Sequence, residues 1–81
     1  MDVTVKFFSY LRVIVGTDKL NMELPEGATI ADLMDKLRCT LGKPDLGKES
    51  TVYMMNQEQA AVETALKDKD EITLLYLIGG G

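Results

Sequence analysis

The segment from Thr29 to Pro44 constrains the fold more than any other. Ile30, Leu33, Met34, Leu37 and Leu41 fall at i, i+3, i+4, i+7 and i+11, which is one stripe of an α-helix. Asp32, Asp35 and Lys36 take the solvent side. Thr29 stands three residues before Asp32, a Ser/Thr-x-x-acid start that satisfies free amides at a helix N-terminus. Gly42 and Pro44 stop the helix, and Lys43 to Ser50 reads as a polar loop. A helix apolar along one stripe must lie on something, and its neighbours show a different period. Val3, Val5 and Phe7 alternate with Thr4, Lys6 and Phe8, and Leu20, Met22 and Leu24 alternate again before the turn Pro25-Glu26-Gly27. Tyr10 to Val15 fits either strand or a short helix: its β-branched residues favour the first, while Leu11, Ile14 and Val15 match a helical stripe.

After the helix, Thr51 to Asn56 predicts a third strand with Gln57-Glu58-Gln59 as its turn. Ala60 to Val62 predicts a short strand, Lys67-Asp68-Lys69-Asp70 a charged turn and Ile72 to Tyr76 the last strand. The order β, β, α, β, short β, β in 81 residues makes one two-layer α+β domain. It suits a β-grasp (ubiquitin-like) arrangement, a mixed sheet of four to five strands with one main helix packed on one face. Order alone also permits other small α+β folds. The expected boundaries are 1–76 for the domain and 77–81 for a flexible glycine tail.

Composition narrows the function. There is no histidine or tryptophan, and Cys39 is the single cysteine. A Cys/His zinc site, an intramolecular disulfide and a histidine-based hydrolase triad are therefore excluded, and no catalytic residue or metal site is expected. A net charge of -4 argues against nucleic acid or anionic membranes as partners. Met1-Asp2 opens without a basic or apolar signal region, and a lone cysteine suits a reducing compartment, so the expected location is cytoplasmic.

The remaining feature is Gly79-Gly80-Gly81. Glycine has no Cβ and passes through narrow channels. Five residues from Leu77 to Gly81 extend roughly 16–18 Å, which carries a terminal carboxylate into a partner's active site while the folded body stays outside. With an ordinary pKa of about 3.3–3.7, that carboxylate is an ionised oxygen nucleophile at neutral pH. Attack on the α-phosphate of ATP gives an acyl-adenylate, from which sulfur or an amine displaces AMP. The competing reading is a frayed terminus without a role.

Several segments together resemble one family. Val5-Lys6-Phe7-Phe8-Ser9-Tyr10-Leu11-Arg12 with Val15-Gly16-Thr17-Asp18, then Leu24-Pro25-Glu26-Gly27-Ala28-Thr29-Ile30-Ala31-Asp32-Leu33, are similar to the MoaD/ThiS family of sulfur carriers. Asn56-Gln57-Glu58, Leu66 to Ile72 and the terminal Gly80-Gly81 match further family segments. The resemblance implies a carrier rather than an enzyme. An E1-like adenylating enzyme, using ATP and Mg²⁺, would activate Gly81, and a sulfurtransferase or cysteine desulfurase would convert it to a thiocarboxylate. The large subunit of molybdopterin synthase would then receive the sulfur, in molybdenum or tungsten cofactor biosynthesis. Thiamin thiazole synthesis, amino-acid sulfuration and ubiquitin-like protein modification remain open. The chain itself is expected to bind no cofactor. One departure stands out: where the molybdopterin synthase subunit usually carries an aromatic and two prolines, this chain reads Leu75-Tyr76-Leu77-Ile78-Gly79.

On this reading Gly81 is the covalent carrier residue, Gly79 and Gly80 give the tail access, and Leu75, Tyr76, Leu77 and Ile78 form the partner-docking stretch. A single helix cannot cover both faces of the last strand, which leaves one for docking. Met54 and Met55 point to opposite faces and are expected to serve packing. Cys39 lies about 180° from the centre of the helix stripe and is expected to be exposed. Arg12, Lys67 and Lys69 are expected to stay solvated, and Asn56 to be a turn residue.

Overall fold

The computed structural model describes residues 1–8, 10–47 and 51–76, with Tyr10 and Tyr76 described by backbone alone. Its elements are β1 (Asp2–Phe7), α1 (Tyr10–Val15), β2 (Lys19–Glu23), α2 (Ile30–Leu41), β3 (Thr51–Met55), β4 (Glu58–Ala60) and β5 (Glu71–Tyr76). The strands form one five-stranded sheet in the order β2-β1-β5-β3-β4. β1 and β2 pair antiparallel, with Asp2 opposite Glu23 and Lys6 opposite Lys19. The first and last strands lie side by side and parallel at the centre, Val5 against Ile72 and Phe7 against Leu74. A parallel pair needs a long crossover, and α2 supplies it. β3 runs antiparallel to β5, and β4 closes the edge. This is the mixed β-grasp sheet expected from the order of elements.

Alternation sorts the strand residues as expected. Val3, Val5, Phe7, Met22, Ile72 and Leu74 are buried, and Ile30, Leu33, Met34 and Leu37 of α2 are buried in the same core. Leu41, the last residue of the predicted stripe, packs at its margin. Removing a side chain of this size from water stabilises the fold by about 1.5–3 kcal/mol. These ten residues therefore account for most of what holds helix to sheet.

The ends of α2 are closed by specific bonds. Thr29 Oγ1 accepts from the Asp32 amide at 3.3 Å, and the Asp32 carboxylate accepts from the Thr29 amide at 2.9 Å, completing a capping box. The two amides that such a box leaves free are taken by the segment before β5. Ile30 N–H donates to Thr64 O at 3.0 Å, and Ala31 N–H donates to Val62 O at 2.9 Å. At the far end Gly42 adopts φ 66°, and Lys43 N–H returns to Arg38 O at 3.0 Å.

Four details differ from expectation or settle it. Tyr10–Val15 is a helix: a single short stretch anchored by buried Leu11, with Arg12, Val13 and Ile14 exposed. The turn after β3 is Asn56-Gln57, not Gln57-Glu58-Gln59. Both residues take positive φ, 51° and 76°, as a two-residue hairpin turn requires. Consequently Glu58 already pairs with Met55, and the short strand is Glu58–Ala60 rather than Ala60–Val62. Finally, the polar loop after α2 buries Leu46, which no periodicity marked. That loop is held from beneath: Arg38 Nε donates to Leu46 O at 2.7 Å, and the Tyr53 hydroxyl donates to Gly47 O at 2.8 Å.

Candidate functional site

The register shows what surrounds the root of the tail. β5 lies between β1 and β3, and its C-terminal end stands beside the C-terminal end of β1. Phe8 N–H extends that pairing by donating to Leu74 O at 3.2 Å. Any chain leaving Tyr76 therefore departs from the middle of the sheet, next to Phe8 and α1.

Both helices contribute their buried residues to one core, and the opposite face of the sheet is left without a helix among the described residues. On that open face Leu75 is half-buried and stands directly across from Val52, while Thr73 stands between Met54 and Lys6. Phe8 is 49% exposed, a large price in unburied aromatic surface for a chain this small. Leu75, Val52, Met54 and Phe8 thus make an apolar strip toward the C-terminal end of β5. The strip is bordered by the Lys6–Glu71 ion pair at 3.0 Å and by the hydrogen bond from Thr4 Oγ1 to Asn21 Oδ1. An apolar centre with a polar border is the anatomy of a transient docking surface.

Of the docking residues expected from sequence, Leu75 is the one whose side chain the structure describes on this face. Tyr76 ends β5 opposite Thr51. Leu77 and Ile78, with Gly79, Gly80 and Gly81, lie outside the described residues, so the carrier and tail-access assignments do too. Met54 and Met55 do divide between the faces: Met55 packs against the core, while Met54 joins the open strip beside Thr73. The expectation that both serve packing holds for Met55. Val52 and Phe8 were missed. Their alternation was legible, but only the β3–β5 register and the Phe8–Leu74 bond bring them to Leu75.

Other candidates resolve simply. Cys39 is a free, exposed thiol. Asn56 is a turn residue whose Nδ2 donates to Asp70 Oδ1 at 3.3 Å. Lys67 and Lys69 are exposed in the turn before β5, where the Asp70 carboxylate accepts from the Lys67 amide. Among the described residues no cluster of three or more His, Cys, Asp or Glu is placed to hold a metal. No helix among them is long and apolar enough to cross a membrane.

A mixed sheet with a parallel central pair, a single crossover helix and one face left without a helix among the described residues is the ubiquitin-like β-grasp arrangement. The chain belongs to the ThiS family, whose model matches residues 5–81. It is 29% identical, over 83 residues spanning the whole of both chains, to the molybdopterin synthase sulfur carrier subunit of Chlamydomonas reinhardtii. Its structure is similar to the small archaeal modifier protein 1 of Methanosarcina acetivorans, with a TM-score of 0.79 and 28% identity over 99% of this chain and 96% of that one. It is also similar to a chain in the complex of subunits 1 and 2 of the molybdopterin-converting factor from Helicobacter pylori. There the TM-score is 0.69, with 25% identity over the whole of both chains. The protein is a sulfur carrier of the MoaD/ThiS type rather than an enzyme, in keeping with relatives that are carrier subunits.

Proposed function

We propose that Gly81 is the loaded residue of this carrier and that its sulfur goes to molybdopterin synthesis. In the first step a carboxylate oxygen of Gly81 attacks the α-phosphate of ATP in an E1-like adenylating enzyme, and pyrophosphate leaves. The outer sulfur of a persulfide on a sulfurtransferase or cysteine desulfurase then attacks the acyl carbon and displaces AMP. A second thiol cleaves the resulting acyl disulfide, which releases the thiocarboxylate and leaves a disulfide between the two thiols. The partner enzyme contributes Mg²⁺, the cationic groups around the phosphates and proton transfer, for which this chain has no histidine. The large subunit of molybdopterin synthase is the proposed acceptor.

The observation that carries this reading is the apolar strip of Leu75, Val52, Met54 and Phe8 at the foot of the glycine tail. A body that docks by the strip delivers whatever leaves Tyr76 into the same partner. Gly80 and Gly79 then serve passage and slack, and Leu77 and Ile78 continue the contact. The test is intact mass spectrometry after incubation with the adenylating enzyme, ATP, Mg²⁺ and a sulfur donor. One oxygen-for-sulfur exchange at Gly81 is expected, and none when Gly80-Gly81 are deleted. Normal adenylation of a chain carrying an uncleavable extension after Gly81 would overturn the reading.

Likeness to an archaeal protein named as a modifier supports a second reading, in which the same adenylate ends in an isopeptide bond to lysine. Conjugates of this chain to other proteins, in place of a thiocarboxylate, would favour it.

A further inference from the structure

Where β1, α1 and β2 converge, the surface opens into a groove of about 500 Å³ lined by Lys6, Phe7, Phe8, Arg12, Asp18 and Lys19. The chain has 13 acidic residues against 9 basic ones, so cations have ample carboxylates to pair with. Here the balance is reversed, with three cations around one carboxylate. Lys6 is engaged by Glu71 at 3.0 Å, but the side chains of Arg12 and Lys19 have no hydrogen bond or ion pair among the described residues. The register adds a second anomaly. Lys19 stands directly opposite Lys6, and like charges in that position destabilise a strand pair. The fold therefore gathers repelling charge at one spot, beside a half-exposed phenylalanine and next to the root of the tail.

We propose that this groove receives an acidic segment of the partner, with carboxylates meeting Arg12 and Lys19 and an apolar side chain meeting Phe8. That the partner is the adenylating enzyme rests on the carrier reading; that the groove selects an acidic, part-apolar segment does not. A guanidinium offers a carboxylate a forked pair of N–H donors, and Lys19 adds a point charge that the incoming anion relieves of its repulsion with Lys6. In a molecule of net charge -4, such a cationic spot also orients approach, so its effect belongs in the association rate and in its salt dependence.

The experiment has two arms. Isotope-labelled protein is titrated with a hexapeptide of alternating glutamate and leucine while amide chemical shifts are followed. Shifts centred on Phe8, Arg12 and Lys19 are expected, weakening with added salt and absent in the Arg12→Glu/Lys19→Glu variant. Absent shifts, shifts centred elsewhere, or equal shifts with a lysine–leucine peptide or with inorganic phosphate would overturn the proposal. In the second arm, association with the adenylating enzyme is measured for wild type, the double Glu variant and Arg12→Gln/Lys19→Gln. Reversal should slow association on the order of tenfold or more at low salt, with the Gln variant between. Adenylation of wild type with association rates and salt dependence unchanged in both variants would overturn the groove's role. Failure of wild type to be adenylated would instead sink the carrier reading, leaving the peptide arm to decide the groove.

Discussion

On the helix side of the sheet Val3, Val5, Phe7, Ile72 and Leu74 are almost wholly sealed, whereas Thr4, Lys6, Thr73 and Leu75 of the same strands are only half-buried. Backbone, register and strand length are shared, so the difference comes from side-chain parity alone. One parity class meets α2 and sets stability. The other meets water and is free to meet a partner, and its apolar members, Leu75, Val52, Met54 and Phe8, gather toward the end where β5 finishes. The helix α2 thus completes a core on one side, and among the described residues no helix covers the other.

The largest expected effect separates the two faces directly. Leu33→Ala empties a fully buried site under the helix and should cost about 2–5 kcal/mol, read as a lowered urea midpoint. Leu75→Gln on the open face should cost no more than about 1 kcal/mol while weakening binding to the adenylating enzyme. Equal losses of stability in the two variants would mean that the open face is structural after all.

A middle-sized effect tests how firmly the covering helix is held. Thr29→Ala removes the side chain that accepts from the Asp32 amide and should destabilise by about 1 kcal/mol, with Thr29→Ser restoring most of it. The effect stays modest because Ile30 and Ala31 donate to Thr64 and Val62, bonds that the substitution leaves in place. A loss as large as that of Leu33→Ala would show that the capping box, not the apolar stripe, keeps the face covered.

Parity and helical period are local properties, and so the sequence made them legible: the α2 stripe, its Thr29–Asp32 start, Gly42 stop and the buried alternation of β1 all stand as expected. Three features failed that test for identifiable reasons. Val13 and Ile14 favour strand by type, but buried Leu11 and the Gly16 amide, which donates to Arg12 O, hold that stretch as a helix. Asn56 and Gln57 make a hairpin turn without glycine, so the turn signal was displaced by one residue. Leu46 is buried in a loop whose carbonyls are held by the side chains of Arg38 and Tyr53, bonds that leave no apolar periodicity in the sequence. The candidate site divides likewise. The glycine tail and Leu75 were visible as composition and position, while Phe8, Val52 and the Arg12–Lys19 groove exist only once separate strands are in register.

The smallest expected difference, one that emerges only as pH rises, lies on the covered face at Tyr53. Tyr53 shares the helix side of β3, paired with Leu74 and Ala60, and its hydroxyl donates to Gly47 O at 2.8 Å. Burial raises its pKa above the ordinary 10.0, and the nearby Arg38 charge opposes that rise only in part. Because the folded pKa is the higher one, the unfolded chain releases this proton first as pH rises. The stabilisation is therefore complete below about pH 10, and it is lost as pH climbs through the folded pKa. Tyr53→Phe should cost about 1 kcal/mol at neutral pH through the lost hydrogen bond, yet lose less stability than wild type between about pH 9 and 11. Urea midpoints across that range decide it. Parallel curves for the two proteins would mean that Tyr53 titrates as it does in water, and that the covered face is wetter at β3 than its packing implies.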